Sequence, residues 1–250
     1  MIDGQAPVEV FDEIDSTILE ARRRAERGEL GPVWLIAKRQ TAGRGRRGRP
    51  WASLDGNLLA TYLFATDRPP AEIALLGFAT GVAIAETIDS IIGAGSATLK
   101  WPNDVFVDGA KAAGILLDSG SLAGGGAWVA LAFGVNLIAA PENLDQETVS
   151  LRAILPPDAP APEPLEFLTQ LRPRLEAWSA RTQSTGFEPL RQAWLQRAHG
   201  LGREARVMQG ENVIDGRIAG ISVRGELELD TETGRKLIAA GDVLLPKSAG

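Results

Sequence analysis

The chain has 250 residues, with 26 basic against 32 acidic side chains, a formal net charge of −6, one histidine and no cysteine. That length allows one large core, or a core with a small appendage. The acidic balance excludes a general pull toward nucleic acid or anionic membrane, and the absence of cysteine excludes disulfide staples and thiolate zinc sites while suiting a reducing cytoplasm.

The first five residues carry no basic segment leading into an apolar one, so no signal peptide is read there, and no apolar run is read as a membrane span. A first strand begins near Val8. Asp15-Ser16-Thr17 precedes a helical stretch over 18–27, with a Ser or Thr N-cap and Gly28 as its stop. Strands follow over 33–38 and 58–64. Between them lie the loop Gln40-Thr41-Ala42-Gly43-Arg44-Gly45-Arg46-Arg47-Gly48-Arg49-Pro50-Trp51 and a polar turn over 53–57. A long helix is expected over 72–92, where Gly77 and Gly81 mark close packing on a neighbour. Asp108-Gly109 sits between two strand-like runs, 104–107 and 111–117, and predicts a hairpin. Another strand covers 128–137, a Pro/Ala-rich loop 156–164, and amphipathic helices 165–178 and 188–196. His199, without a second acid–base partner, reads as a solvated linker residue. From Arg203 the chain turns to short alternating runs, 213–218, 221–223 and 227–229, which suggest a small β-barrel leaning on the larger unit.

Functional residues gather in loops and at strand ends. The arginine–glycine loop is the plainest case. Its glycines let a ligand approach the backbone, and its arginines offer forked donors for phosphate or carboxylate oxygens. Six cations between Lys38 and Arg49 repel one another unless something anionic is present. Ser16-Thr17, Lys100-Trp101-Pro102-Asn103-Asp104, Lys111-Ala112-Ala113-Gly114-Ile115-Leu116 and Gly134-Val135-Asn136 are further clusters. Taken singly they read as a cap, a turn with a buried tryptophan and ordinary strands. Lys111 stands out because its strand is otherwise apolar, where a cation needs a partner or an anionic ligand.

Together and in this order, Gly43 to Gly48, Lys100 to Asp104 and Lys111 to Leu116 resemble the biotin–protein ligases, and Gly134-Val135-Asn136 and Ala240-Gly241-Asp242-Val243 add to the likeness. The resemblance implies an α+β fold: over 1–200, a catalytic domain with a mixed sheet flanked by helices, related to class II aminoacyl-tRNA synthetases, and over 201–250 an SH3-like barrel. It implies two steps. Biotin and ATP give biotinyl-AMP and pyrophosphate, with Mg²⁺ on the phosphates, and a lysine of a biotin carboxyl carrier protein then takes the biotin. Bringing two anions to about 4 Å costs roughly 4 kcal/mol at an effective dielectric near 20, which explains the need for cations. By the same resemblance Lys111 and Arg46 are the catalytic pair. Ser16, Thr17, Gln40, Gly43, Arg44, Gly45, Arg46, Lys111 and Gly114 hold biotin. Arg44, Arg46, Arg47, Arg49, Trp51, Asn103, Asp104, Lys111 and Asn136 hold ATP and the adenylate, with Trp51 beside the adenine and Asp104 orienting Lys111 or the incoming lysine. The metal ligands stay unassigned.

Two positions depart from the family pattern: Ile18, where asparagine often stands, and Asp118, where glutamate is usual. The start of the first strand near Val8 leaves no room for the DNA-binding module of some relatives, so no DNA partner is expected, while a homodimer is compatible with the family. A lipoate– or octanoate–protein ligase is the nearest alternative. A nucleic-acid module using the loop on phosphates and Trp51 for stacking is an alternative of another class, which the acidic remainder argues against.

Overall fold

The computed structural model describes residues 2–142, 144 and 146–246. In chain order its first part consists of Val8–Ile14 (β1), Thr17–Glu26 (α1), Val33–Gln40 (β2), Leu58–Thr66 (β3), Pro70–Ile92 (α2), Ala97–Lys100 (β4), Asp104–Val107 (β5), Ala110–Ser121 (β6), Ala127–Val135 (β7), Leu151–Ile154 (α3), Pro164–Thr185 (α4) and Glu188–Leu195 (α5). The strands form one seven-stranded sheet in the order β1-β2-β3-β7-β6-β5-β4. Only β1 and β2 run parallel, so the sheet is mixed, as the sequence implied.

Strands β3 and β7 read as unbroken apolar runs because helices cover both of their faces. One face packs Trp34, Tyr62, Phe64, Leu131 and Phe133 against α2 and α4. The other packs Leu35, Leu63, Ala130 and Ala132 under α1 through Ile18, Ala21 and Ala25. The departure at Ile18 is therefore a core contact. Helix α2 corrects the reading that no apolar run reaches membrane-span length. It has 23 residues and a window of mean hydropathy 1.6. Its apolar residues are spent on the sheet and on α4, and its Glu86 accepts the Trp178 indole N–H at 3.1 Å.

A second, antiparallel sheet follows: Glu204–Gln209 (β8), Asn212–Ile221 (β9), Leu227–Thr231 (β10), Gly234–Ile238 (β11) and Asp242–Leu244 (β12), in the order β11-β10-β9-β8-β12. The expected strand 221–223 is not separate. Ile221 ends β9, and Ser222 turns the chain through a bond from Gly225 N–H to its carbonyl at 2.9 Å.

The two sheets are joined by specific contacts. Trp101 Nε1 donates to the Gly225 carbonyl at 3.0 Å and Arg191 Nε to that of Ile221 at 2.7 Å. His199 belongs to this junction and is not a solvated linker residue. Its ring stacks on Phe106 with centroids 4.7 Å apart, and its backbone N–H donates to Leu99 at 2.8 Å. Burial, then the positive charges of Lys100 and Arg203, push its pKa below the usual imidazole value.

Candidate active site

The site lies on the α1 face of the sheet, where two strands lose their side chains together. Gly114 of β6 and Gly134 of β7 are cross-strand partners, with Asp104 of β5 paired to Gly114 on one side and Leu59 of β3 paired to Gly134 on the other. Residues in register share a face, so this row places a carboxylate, two stretches of bare backbone and a leucine side by side. The Trp51 indole rests on the glycines. A Cβ at Gly134 would lie 2.4 Å from Trp51 Cε2, and one at Gly114 2.8 Å from Cζ3. Trp51 Nε1 is buried without a hydrogen-bond partner among the described residues. Trp51 and Gly114, assigned by resemblance to adenine and biotin, are thus in contact here.

Lys111 reaches the same surface. Its Nζ lies 2.7 Å from Asp104 Oδ1 and 5.5 Å from the Trp51 ring centroid. The pair resolves the question of a cation in an apolar strand: Asp104 is its partner. Lys111 is also fixed from behind, since Asn136 is buried with Nδ2 3.4 Å from the Lys111 carbonyl and 3.3 Å from that of Val149. Asn136 thus turns its amide to backbone.

The Gly–Arg loop is a tight hairpin. Trp51 N–H donates to Gly43 at 2.9 Å and Gly45 N–H to Arg49 at 2.7 Å, closing a short turn, Arg46–Gly48, in which Arg47 has φ 55°. Arg46 donates from Nη1 to Asn103 Oδ1 at 3.0 Å, and Asn103 Nδ2 donates to the Ile115 carbonyl at 2.7 Å. Burial lowers the pKa of Arg46 from the usual guanidinium value. Arg47 and Arg49 both turn to Asp242, Arg47 at 3.0 Å. Lys38 pairs with Asp12 and Arg39 with Glu13. Four of the six cations between Lys38 and Arg49 therefore have protein carboxylates, so part of the anionic charge they need comes from the chain itself. Among the described residues, Arg44, Arg46 and Lys100 have no ion pair. Burial also lowers the pKa of Lys100.

At the start of α1, Ser16 makes no side-chain cap, contrary to its reading as one. Gln40 supplies it from β2: Oε1 accepts the Thr17 N–H at 2.7 Å and the Thr17 hydroxyl at 3.1 Å. The Thr61 hydroxyl donates to Thr17 Oγ1 at 2.8 Å, and the Gln40 N–H donates to Ser53 Oγ at 2.8 Å. Sequence reasoning missed Thr61 and Ser53, and also Asn57. Asn57 is buried, and its Oδ1 accepts the N–H groups of Leu137, Ile138 and Ala139 at 2.9, 3.0 and 3.2 Å, pinning the loop's far end.

Gly77 and Gly81 line a cavity of about 10 Å³ with Lys100, Asn103, Asp104 and Ile115. A Cβ at Gly81 would touch Leu99 and Ile115 at 3.5 Å, whereas one at Gly77 would meet open space, so only Gly81 is a packing glycine. Among the described residues no three His, Cys, Asp or Glu side chains form a cluster able to cage a metal.

The arrangement sets guanidiniums and an ammonium over a bare backbone floor, beside a polar pocket at a helix start. It suits an anionic ligand with a flat apolar body. The chain is similar to a biotin–[acetyl-CoA-carboxylase] ligase from Paracoccus denitrificans, 37% identical over 92% of this chain and 96% of that one. It is also similar to one from Mycobacterium tuberculosis, 31% identical over 96% and 90%. A biotin protein ligase from Aquifex aeolicus solved with biotin and ATP superposes with a TM-score of 0.78 at 27% identity, over 97% of this chain and 99% of that one. Residues 200–245 match the biotin protein ligase C-terminal domain, and residues 11–136 match the biotin/lipoate A/B protein ligase family, to which this chain belongs.

Proposed function

We propose that the chain is an ATP-dependent biotin–protein ligase, which forms biotinyl-5′-AMP and transfers biotin to a lysine of a biotin carboxyl carrier protein. The observation that carries this is the convergence of Lys111, Asp104, Arg46 and Asn103 around the Gly114–Gly134 floor, beside the Thr17–Gln40 pocket. In this reading the biotin ring lies on the glycine floor with its ureido group toward Ser16, Thr17 and Gln40, and Trp51 moves from the floor to cover the ligand. Gly43 and Gly45 let the loop backbone come close. Arg46, already poor in solvent, meets the biotin carboxylate, and Arg44 closes over it.

In the first step a carboxylate oxygen of biotin attacks the α-phosphorus and pyrophosphate leaves. Lys111 bridges the attacking carboxyl and the α-phosphate, where charge grows, and Asp104 aims its ammonium there. Arg47 and Arg49 take the outer phosphates, and Asn103 lines the adenylate side. Asn136 holds the Lys111 backbone. Mg²⁺ would be held mainly by the phosphate oxygens and its own waters, and would neutralise part of the triphosphate charge beside Arg47 and Arg49. In the second step the carrier's lysine amine attacks the anhydride carbon and AMP leaves.

The five-stranded sheet supports an SH3-like barrel, and the turn at Gly200 and Gly202 supports a boundary near 200, with the catalytic domain before it. The expected end of the second domain, 247–250, lies outside the described residues. Use of ATP and a carrier protein fits a cytoplasmic enzyme. The edge strand β1, where Val10 is 47% exposed, would serve a homodimer.

Biotin-dependent exchange of pyrophosphate into ATP tests the reading, with lipoate and octanoate in parallel. Exchange with biotin alone supports it. Exchange with lipoate keeps the chemistry and changes the substrate, and no exchange with any acid overturns it.

A further inference from the structure

The catalytic loop and the second sheet meet at one carboxylate oxygen. Arg47 Nη1 and Arg49 Nη2 both donate to Oδ2 of Asp242, from 195 and 193 residues away in sequence. Asp242 opens β12 and is only 20% exposed, and among the described residues no other carboxylate pairs with either arginine. One carboxylate cannot neutralise two guanidiniums. Beside them Arg46 has only neutral Asn103, and half-buried Lys100 has no ion pair, so the pocket keeps surplus positive charge while Asp242 is engaged. A polyphosphate of higher charge would therefore displace the carboxylate, and the carboxylate would return when the polyphosphate leaves.

We propose that Asp242 is a positioning residue that exchanges places with pyrophosphate. While ATP is bound, its outer phosphates hold Arg47 and Arg49. Once pyrophosphate departs, Asp242 takes the two arginines back and keeps the loop shut over the adenylate, out of reach of water, until the carrier lysine arrives. Asp242 makes and breaks no covalent bond. The inference rests on the ligase reading above and adds to it a task for the C-terminal domain.

The test is to form the adenylate from biotin and Mg²⁺–ATP, remove pyrophosphate with pyrophosphatase, and time the appearance of free biotinyl-AMP without carrier. Asp242→Asn is expected to release it roughly 3- to 10-fold faster, the size of one partly buried ion pair. Its pyrophosphate-exchange kcat at saturating ATP should stay within about 2-fold of the parent, because the phosphates then hold the arginines. Asp242→Glu should restore slow release. Asp230→Asn, which breaks the exposed Arg235 pair in the same sheet, should change nothing. If Asp242→Asn does not fold, Arg49→Gln cuts the same contact at a side chain 68% exposed and should also speed release. Release at the parental rate from a folded variant overturns the exchange. A parent that forms no adenylate overturns the ligase reading, and this inference with it.

Discussion

Around α1 and β1, Arg23 is held by Asp15 and Glu20, Arg24 by Glu9 and Glu20, and Arg27 by Glu29, all within 3.0 Å. In the loop, Arg46 meets only the neutral Asn103, Arg44 has no ion pair among the described residues, and Arg47 and Arg49 share one carboxylate. Both regions are rich in arginine, yet their electrostatics run in opposite directions. The hydrogen bonds that Arg23 donates to Asp15 and Arg24 to Glu9 raise their pKa values, whereas burial lowers that of Arg46. Cations that fold against their own carboxylates have little left to offer a ligand. Cations that fold against amides, glycines and a single shared carboxylate keep that capacity. Arginine count therefore separates the two regions poorly, and pairing separates them well.

The largest break in the comparison comes from Lys111. It has a single carboxylate, Asp104, and an indole beside it. Lys111→Ala should lower the rate of adenylate formation about 10²- to 10³-fold in single-turnover assays while leaving the melting transition cooperative. Asp104→Ala should keep binding and slow both half-reactions, since the ammonium loses its aim. An Asp104→Ala enzyme with normal rates would remove Asp104 from the mechanism.

Next is Gly134→Ala. The new methyl would lie 2.4 Å from the Trp51 indole, so either the indole leaves or the strand shifts, at about 1–3 kcal/mol. Calorimetry should show weaker biotin binding, and melting should show lost stability. Adding Trp51→Ala should recover the stability without recovering the binding. Recovery of both would mean that the glycine serves the indole alone.

Much of this was legible in the chain, and the failures have physical causes. The Asp108-Gly109 hairpin was readable because its turn needs two positive φ angles, found at 50° and 77°, and that dipeptide supplies them at low cost. The three motifs, read in order, located the loop, the Asp104 strand and the Lys111 strand. Thr61 was hidden because a threonine in an apolar strand is ordinary, and only the fold brings it under Thr17. Asn57 looked like a turn residue because its partners lie some 80 positions away. Ser16 does stand at the N-cap of α1, but the capping bond comes from Gln40, which reaches Thr17 across 23 residues of sequence. Asp242 gains its role only once the second sheet is docked. His199 was judged by its lack of a catalytic partner, a test blind to stacking.

A pH effect at the junction follows from His199. Its pKa is lowered on folding, chiefly by burial, so the unfolded chain binds the proton more readily. The junction's stability is then fully present above about pH 6.5, the unfolded value, and falls as the pH drops below it. His199→Gln should flatten that part of the melting profile between pH 7.5 and 5.5. A parent and variant with parallel profiles would remove the histidine as the cause.

The smallest effect belongs to the other arm of the comparison. Arg23→Ala removes a guanidinium with two carboxylates, more hydrogen-bonded than any arginine of the loop, yet Arg23 is 40% exposed and Asp15 38%. Solvent screens such pairs, and removal should cost about 0–1 kcal/mol in melting and less than about 2-fold in pyrophosphate exchange. The density of contacts around a charge then measures how well the fold has satisfied it, while its importance to the reaction follows from what the fold has left unsatisfied. If Arg23→Ala instead impaired exchange as strongly as Arg46→Ala, pairing would have no value as a guide to function here, and the α1 network would have to be read as part of the biotin pocket that begins one turn away at Thr17.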